Sequence, residues 1–171
     1  MRRVWLTLAF LLLIGGIIAY TYLGGFEEPR ITIKETPSFT IVGYPYLGKM
    51  NVKVFGATFD KADSLLHNKI LKGYEAAYFY NQPKGPKEEL KAFIGILAKD
   101  TSLVSLEKRV FPSAKVVEAV INMHYLIIPI NIYPKIQKFA EKNKLKLSPE
   151  SVEIYASNKK LIVQVPIIGK E

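Results

Sequence analysis

The chain has 171 residues, no cysteine and a formal net charge of +9. The absence of cysteine excludes disulfides, thiolate zinc sites, cysteine nucleophiles and a lipidated cysteine anchor. Aromatic residues make up 12% of the chain, which predicts a folded domain and not a disordered tail.

The first segment is long and apolar. Residues 4–22 contain no charged side chain, and about nineteen apolar residues form a helix that crosses a bilayer core. A cleaved signal peptide has a shorter apolar stretch that ends at a small-x-small site, whereas Tyr20, Thr21 and Tyr22 stand at that end here. We therefore expect an uncleaved anchor over residues 1–25 and one domain over residues 26–171. A cleaved signal peptide is the second interpretation, and a buried core helix is the third.

The charges that flank this segment predict its orientation. Arg2 and Arg3 precede it, and Glu27 and Glu28 follow it. Basic residues next to a membrane span stay on the cytoplasmic side. The N-terminus is therefore expected in the cytoplasm and the domain outside it.

The other basic residues are scattered along the chain. Without Arg2 and Arg3, 22 Lys+Arg remain against 15 Asp+Glu, or +7. Such an excess can favour nucleic acid or anionic lipid headgroups. Five lysines between residues 135 and 146 lie on or just after a predicted helix, which favours a solvated helix face. We expect no nucleic-acid partner, and contact with anionic lipid stays an open expectation.

The rest of the chain contains two similar sets of elements. In the first set, residues 30–43 form a strand that is interrupted near Pro37, residues 51–72 a helix, and residues 75–80 and 90–99 two strands around a turn at 81–87. Gly73 follows the helix, as a C-terminal glycine should. The apolar stripe of this helix consists of Phe55, Phe59, Ala62, Leu66 and Ile70.

The second set repeats the order of the first. Residues 114–125 form a strand, 130–143 a helix, and 151–156 and 160–168 two further strands, with Pro134 in the first turn of the helix. This repetition predicts an α+β fold. Two pseudo-symmetric strand-helix-strand-strand repeats form an antiparallel sheet with both helices on one face, and an N-terminal transmembrane helix precedes them.

The free face of such a sheet can form a groove between the two repeats. Side chains alternate along a strand, so Glu153 and Tyr155 point away from Val152 and Ile154. If the two aliphatic residues face the helices, Glu153 and Tyr155 line the groove. The alternative is a surface glutamate that is paired with a lysine.

Three further tyrosines are candidates for the same groove. Tyr78 and Tyr80 share one face of their strand and are placed beside Glu153, and Tyr44 is placed at the end of the groove. A carboxylate among tyrosines can hold a cationic aromatic ligand, and burial can raise its pKa into the range of a general acid or base. The alternative is that these tyrosines pack across strands.

No metal or cofactor site is predicted. His124 lies on an apolar strand without a second histidine or an acidic cluster, so a core or rim histidine is favoured over a metal ligand. His67 lies in the first domain helix and is expected to be half exposed. Gly-rich phosphate loops and the order of a serine hydrolase triad are absent from the sequence.

The chain resembles the GyrI-like small-molecule-binding domain of gyrase-inhibitory proteins and multidrug-sensing regulators. The resemblance covers about residues 30–171 and rests on the stretches PSFTIVGYPYLGK, YEAAYFYNQP, LKAFIGIL and SPESVEIYASNKKLIVQVPI. It implies a ligand groove at a pseudo-twofold axis, with Glu153 as its central polar group. A membrane helix stands where the regulators have a DNA-binding segment, which argues against a transcriptional role.

The resemblance leaves three functions open. The favoured function is a membrane-tethered domain that holds an apolar, cationic ligand over Glu153, with Tyr155, Tyr78, Tyr80 and Tyr44 as further ligand-binding residues. The second is a hydrolase of electrophilic small molecules in which Glu153 is the general acid or base. The third is a non-catalytic scaffold for a protein or lipid partner.

Overall fold

A computed structural model describes residues 2–23, 26–49, 52–82, 88–102, 104–122, 128–156 and 160–170. The elements in chain order are α1 (Arg2–Tyr22), β1 (Arg30–Thr36), β2 (Phe39–Lys49), α2 (Val52–His67), β3 (Gly73–Phe79), β4 (Glu89–Ala98), β5 (Glu107–Phe111), β6 (Ala114–Asn122), α3 (Ile128–Lys142), β7 (Leu145–Leu147), β8 (Ser151–Ala156) and β9 (Lys160–Lys170).

The predicted fold class is confirmed. The strands form one antiparallel sheet in the order β1-β6-β9-β8-β3-β4-β2-β5, and the short β7 pairs with β9. The two repeats are β2-α2-β3-β4 and β6-α3-β8-β9, and they meet where β3 pairs with β8. Both helices pack on the same face of the sheet, α2 against the first repeat and α3 against the second.

Several boundaries differ from the sequence prediction. The interruption predicted near Pro37 is confirmed, but β2 continues to Lys49 and not to residue 43. Helix α2 ends at His67 and not at residue 72, and β5 and β7 were not predicted. The placement of Pro134 in the first turn of the second helix is wrong, because α3 begins at Ile128 and Pro134 lies further inside it. His67 is exposed, and His124 lies outside the described residues.

One long two-stranded ribbon joins the two repeats. β1 pairs with β6 and β2 pairs with β5, and both ladders keep a single register from Arg30↔Val120 to Gly43↔Glu107. Pro37 and Pro112 lie in the gap between the two ladders. Because proline has no N–H to donate, each long strand is interrupted there and turns from one half of the sheet to the other.

The ribbon links the two ends of the strand order, so the sheet curls. The ring of Phe111 on β5 stacks on the ring of Tyr78 on β3 with centroids 3.9 Å apart, although β4 and β2 lie between these strands. We call the face that carries Tyr78 and Phe111 the inner face, and the face covered by α2 and α3 the outer face. Both faces are buried over much of their area.

A row of small residues on the inner face permits this curl. Gly43 pairs with Gly95, and Gly95 pairs with Ala76 on the next strand. A Cβ on Gly95 would lie 2.1 Å from the carbonyl oxygen of Val42, and one on Gly43 would lie equally close to the carbonyl oxygen of Ile94. Side chains at these positions would force β2 and β4 apart.

Helix α1 lies outside this core. Residues Val4–Tyr22 have a mean hydropathy of 2.1, and none of this segment is buried. By length and composition the helix fits a membrane span, and a signal sequence fits the same description.

The Gly43–Gly95 contact gives a test of the curl. We expect Gly95→Ala to lower the free energy of unfolding by about 2 kcal/mol or more, because the added methyl group meets backbone atoms that cannot rotate away. Urea unfolding of the full chain in a nonionic detergent, followed by circular dichroism, measures this change. Gly169→Ala is the control, since no atom lies within 4 Å of a Cβ there. Equal midpoints for the two variants would contradict the role given to the glycine row.

Candidate functional site

Glu153 lies at the centre of the sheet on its outer face. It is the middle residue of the β3–β8 ladder, where its direct partner is Ala77. The small side chain of Ala77 leaves space above the sheet for the carboxylate and its neighbours. Glu153 is only 7% exposed, because α2 and α3 cover this part of the sheet.

Two tyrosine hydroxyls hold the carboxylate of Glu153. The hydroxyl of Tyr155 donates to Oε2 at 2.5 Å, and the hydroxyl of Tyr133 on α3 donates to Oε1 at 2.7 Å. The Tyr133 hydroxyl also lies 3.2 Å from Oγ of Ser151. Ser151, Glu153 and Tyr155 are alternate residues of β8, so the strand itself presents all three on one face.

Burial dominates the electrostatics of this cluster. It raises the pKa of the Glu153 carboxyl, and the hydrogen bonds from Tyr155 and Tyr133 offset part of that effect. Burial and then the charge of Glu153 raise the pKa of both tyrosine hydroxyls well above their usual value. The phenols therefore stay protonated and act as hydrogen-bond donors.

The other buried glutamate of the described chain has a different environment. Glu118 lies on the inner face at 8% exposure and accepts a hydrogen bond from Gln164 at 2.8 Å. The ammonium of Lys34 lies 3.2 Å from the same carboxylate. Glu118 is thus neutralised by a lysine, whereas the described ion pairs include none to Glu153.

Helix α2 supplies an aromatic wall beside Glu153. The ring of Phe59 meets the ring of Tyr155 edge to face with centroids 5.6 Å apart. Phe55 lies next to Phe59 at 5.2 Å and also approaches Phe79 on β3. The apolar stripe predicted for this helix therefore packs onto the face of the sheet that carries the carboxylate.

Acidic groups extend from the cluster toward α2. Glu75 is paired with Tyr155 across the β3–β8 ladder, so both lie on the outer face. Burial raises the pKa of Glu75 to about 7, and the charges of Asp63 and Asp60 contribute further. This end of the site is therefore acidic although the chain as a whole is basic.

A cavity of about 370 Å³ lies beside Tyr133. Its wall includes Tyr133 and Gln137 of α3 and Leu147 and Ser148 at the β7–β8 turn. Tyr133 thus both lines this cavity and donates a hydrogen bond to Glu153, which is not itself a lining residue. In the described residues no group of three or more His, Cys, Asp or Glu side chains could hold a metal ion.

The predicted orientation of β8 is wrong. Val152 and Ile154 belong to the inner-face cluster, and Glu153 and Tyr155 face the helices. The register pairs Phe79 with Ser151 and Tyr78 with Val152, which puts Phe79 on the same face as Glu153. The prediction failed because a curled sheet buries both faces, so apolar alternation does not identify the face that the helices cover.

The structure consequently separates the predicted site residues. Tyr78 lies on the inner face, where it stacks on Phe111 and donates a hydrogen bond to Glu150 at 2.8 Å. The ring of Tyr80 lies beside that of Tyr78 with centroids 5.0 Å apart, and the ammonium of Lys91 lies over the Tyr80 ring. These two tyrosines therefore lie on the face opposite Glu153, and the structure does not bring them together with it.

Tyr44 lies on the outer face but far from the carboxylate. It pairs with Ile94, Ile94 pairs with Ala77, and Ala77 pairs with Glu153, so all four are in one row across the sheet. Three strand spacings of about 4.8 Å separate Tyr44 from Glu153 by roughly 14 Å. Tyr44 packs at the edge of the cluster beneath α2.

Tyr133 and Ser151 are the site residues that the sequence did not reveal. Tyr133 is three residues from Ile136 and seven from Ala140, both of which are buried, so helical spacing alone puts it on the packed face of α3. That signal identifies a core residue, but the contact with Glu153 joins distant parts of the chain.

Comparisons with known proteins find similarity in structure only. No known protein family and no curated protein matches the chain. The structure of SAV2435 bound to tetraphenylphosphonium is similar with a TM-score of 0.60 and 9% identity, over 82% of this chain and 94% of that one. The C-terminal domain of EcmrR matches with a TM-score of 0.54 and 14% identity, over 84% and 99%.

A third similar structure is an integron cassette protein from the mobile metagenome of Vibrio cholerae. Its TM-score is 0.56 at 12% identity, and the match covers 82% of this chain and 97% of that one. Likeness at such low identity shows the fold alone. These comparisons therefore support the α+β fold that the resemblance implied.

The raised pKa of Glu75 gives a test of the acidic end. At pH values between 4.5, the ordinary pKa of this carboxyl, and about 7, the folded state holds a proton that the unfolded state releases. The free energy of unfolding therefore falls as pH rises through this range. We expect Glu75→Gln to be more stable than the parent at pH 7.5, on the order of 1 kcal/mol after allowance for solvent screening at a half-buried site, and equal to it at pH 4. Urea unfolding across this pH range measures the difference.

Glu89→Gln is the control for that experiment, because Glu89 is an exposed strand glutamate. Its stability should follow that of the parent at every pH. A difference between Glu75→Gln and the parent that does not change with pH would contradict the raised pKa.

Proposed function

We propose that this chain is a membrane-tethered domain that binds small, apolar, cationic molecules over Glu153. The observation that carries the proposal is a buried carboxylate whose described partners are two neutral hydroxyls. Buried charges are normally paired, and the buried carboxylate of Glu118 is paired with Lys34. A ligand cation would complete the site at Glu153.

The surroundings of Glu153 also suit an aromatic or apolar cation. The rings of Phe59 and Tyr155 stand beside the carboxylate, and a cation is attracted to aromatic faces and to the acidic groups around Glu75. The fold likeness to a protein solved with tetraphenylphosphonium is a second line of support. In that proposal Glu153 and Tyr155 keep their predicted roles, and Tyr133 replaces Tyr78, Tyr80 and Tyr44.

We propose that ligand enters from the cavity beside Tyr133. The hydroxyl of Tyr133 occupies one oxygen of the carboxylate, so a cation reaches that oxygen only after the ring rotates. The 370 Å³ cavity next to the ring provides room on the side toward Gln137 and Ser148. Its size lies at the lower end of the roughly 300–1,000 Å³ range of ligand pockets.

Titration calorimetry with tetraphenylphosphonium tests the proposal on the full chain in a nonionic detergent. We expect saturable binding that Glu153→Gln weakens by about 10- to 100-fold, because a charge-assisted contact contributes about 1.5–3 kcal/mol. Neutral triphenylphosphine oxide should bind at least about tenfold more weakly than the cation if charge contributes about 1.4 kcal/mol.

Glu118→Gln is the matched control for this measurement. It removes a glutamate of equal burial from the opposite face of the sheet, and it should leave cation affinity unchanged. Equal affinity of the parent and Glu153→Gln would remove Glu153 from the proposed function.

A hydrolase of electrophilic small molecules is a second candidate. Its support is the 2.5 Å hydrogen bond between Tyr155 and a carboxyl whose pKa is raised by burial, since such a pair can transfer a proton to a substrate. Turnover of a strained electrophile, such as an activated cyclopropane, that disappears in Glu153→Gln would favour this function over binding alone.

A non-catalytic scaffold is the third candidate. Its support is that Tyr133 and Tyr155 of the chain itself take both oxygens of Glu153, as in a site that is filled from within. Failure of every cation to bind would favour this function.

We also propose that residues 1–25 are an uncleaved anchor for a domain of residues 26–171, with the N-terminus in the cytoplasm. The apolar length of α1 and the arginines before it support this.

A phosphatase that is active only outside the cytoplasm should be active when fused to the C-terminus. The intact mass of protein extracted from membranes after an alkaline wash should include the apolar segment. A mass that lacks it indicates a cleaved signal peptide, and activity of a cytoplasm-only reporter overturns the orientation.

A further inference from the structure

A second cavity lies where the chain leaves α1 and enters the sheet. Its volume is about 380 Å³, and it is separate from the residues around Glu153. The linker before β1 forms one side of it. The polar residues that line it are Glu27, Glu28, Arg30, Thr32, Asn122 and Lys160.

Three strands bring these side chains together on the inner face. Arg30 pairs with Val120 on β6, and two residues further along β6 Asn122 pairs with Lys160 on β9. Because side chains alternate in strands, Arg30, Asn122 and Lys160 point to the same side of the sheet. They stand at the end of the sheet nearest α1.

The charges in this cavity are only partly neutralised. Glu28 forms an ion pair with Lys135 of α3 at 2.8 Å. Arg30 and Lys160 form no ion pair with any other residue that the structure describes, and the same holds for Glu27. The cavity therefore offers two cations and one carboxylate to a ligand.

The linker sets this cavity close to the end of α1. The ring of Phe26 meets the ring of Tyr20 edge to face, with centroids 5.0 Å apart. Glu27, the first residue of the cavity wall, follows Phe26 directly. Tyrosines at the end of an apolar helix mark the headgroup region of a bilayer, so the cavity opens at headgroup depth if α1 spans a membrane.

We propose that this cavity binds the headgroup of a phospholipid that carries a primary ammonium, the ethanolamine class. Arg30 and Lys160 contact the phosphodiester, and Glu27 accepts hydrogen bonds from the ammonium. This inference rests on the proposed membrane tether and not on the cation site at Glu153.

The lining discriminates among headgroups. Among the residues that the structure describes, no aromatic ring lines the wall, so a quaternary ammonium such as choline lacks there the cation–π contacts that usually hold it. A headgroup without an ammonium leaves the carboxylate of Glu27 next to a phosphate, which is unfavourable. A zwitterion with a small, hydrogen-bonding ammonium satisfies both ends of the cavity.

Binding of soluble short-chain lipids to the full chain in a nonionic detergent tests the inference. We expect dihexanoylphosphatidylethanolamine to bind at least tenfold more tightly than dihexanoylphosphatidylcholine, dihexanoylphosphatidylglycerol or inorganic phosphate, about 1.4 kcal/mol. Arg30→Gln and Lys160→Gln should each weaken this binding by about tenfold. Lys138→Gln, which removes an exposed lysine of α3 outside the cavity, should bind like the parent.

Three results would overturn the inference: no binding of any phospholipid, equal binding of the glycerol and ethanolamine lipids, or affinity that is unchanged in both cavity variants. Equal affinity for free glycerophosphoethanolamine would replace the lipid by a soluble phosphodiester. The assay needs no bilayer, so its failure is distinct from failure of the tether. A chain that binds the lipid but leaves membranes in an alkaline wash refutes the tether alone.

Discussion

The pairing of residues 30–43 with residues 107–120 is the constraint on which the rest of the fold depends. These two long segments belong to different repeats, and they stay in one register on both sides of Pro37 and Pro112. The ribbon ties the ends of the strand order together, so the sheet must curl. The Gly43–Gly95 pair and Ala76 allow the inner face to contract, and the outer face is left for α2 and α3.

The position of Glu153 follows from this arrangement. The repeats meet at the β3–β8 ladder, and Glu153 is the middle residue of that ladder on the face that α2 and α3 cover. Tyr133 reaches it from α3, and Phe59 approaches through Tyr155 from α2. Because both helices contribute, the site exists only when the two repeats are assembled. Glu118, the second buried glutamate among the described residues, lies on the inner face, where Lys34 neutralises its charge.

Much of the fold was predictable from the sequence, and the site was predictable only in part. The stripe of Phe55, Phe59 and Ala62 and the repeated element order indicated the helices and the duplication, since these signals are local. β5 was missed because its sequence EKRVF is mostly charged and lies at an exposed edge. Glu153 was singled out by strand alternation and by the resemblance, but the face it occupies depends on the register with Ala77. The contact of Tyr133 with Glu153 is set by tertiary packing, which spacing along the chain does not encode.

Ala77 and Glu153 face each other at the centre of the duplicated sheet, so the molecule departs from symmetry there. Directly opposed strand residues have Cα atoms only about 5 Å apart, and two carboxylates at that distance would repel until one took up a proton. A single carboxylate avoids this conflict. It also leaves one carboxylate at the middle of the β3–β8 ladder, with Glu75 toward α2 and Tyr133 of α3 on the other side. A bound cation would thus meet the acidic group Glu75 on one side and the Tyr133 hydroxyl on the other, which implies a single preferred orientation. With one central carboxylate, the implied stoichiometry is one cation per chain.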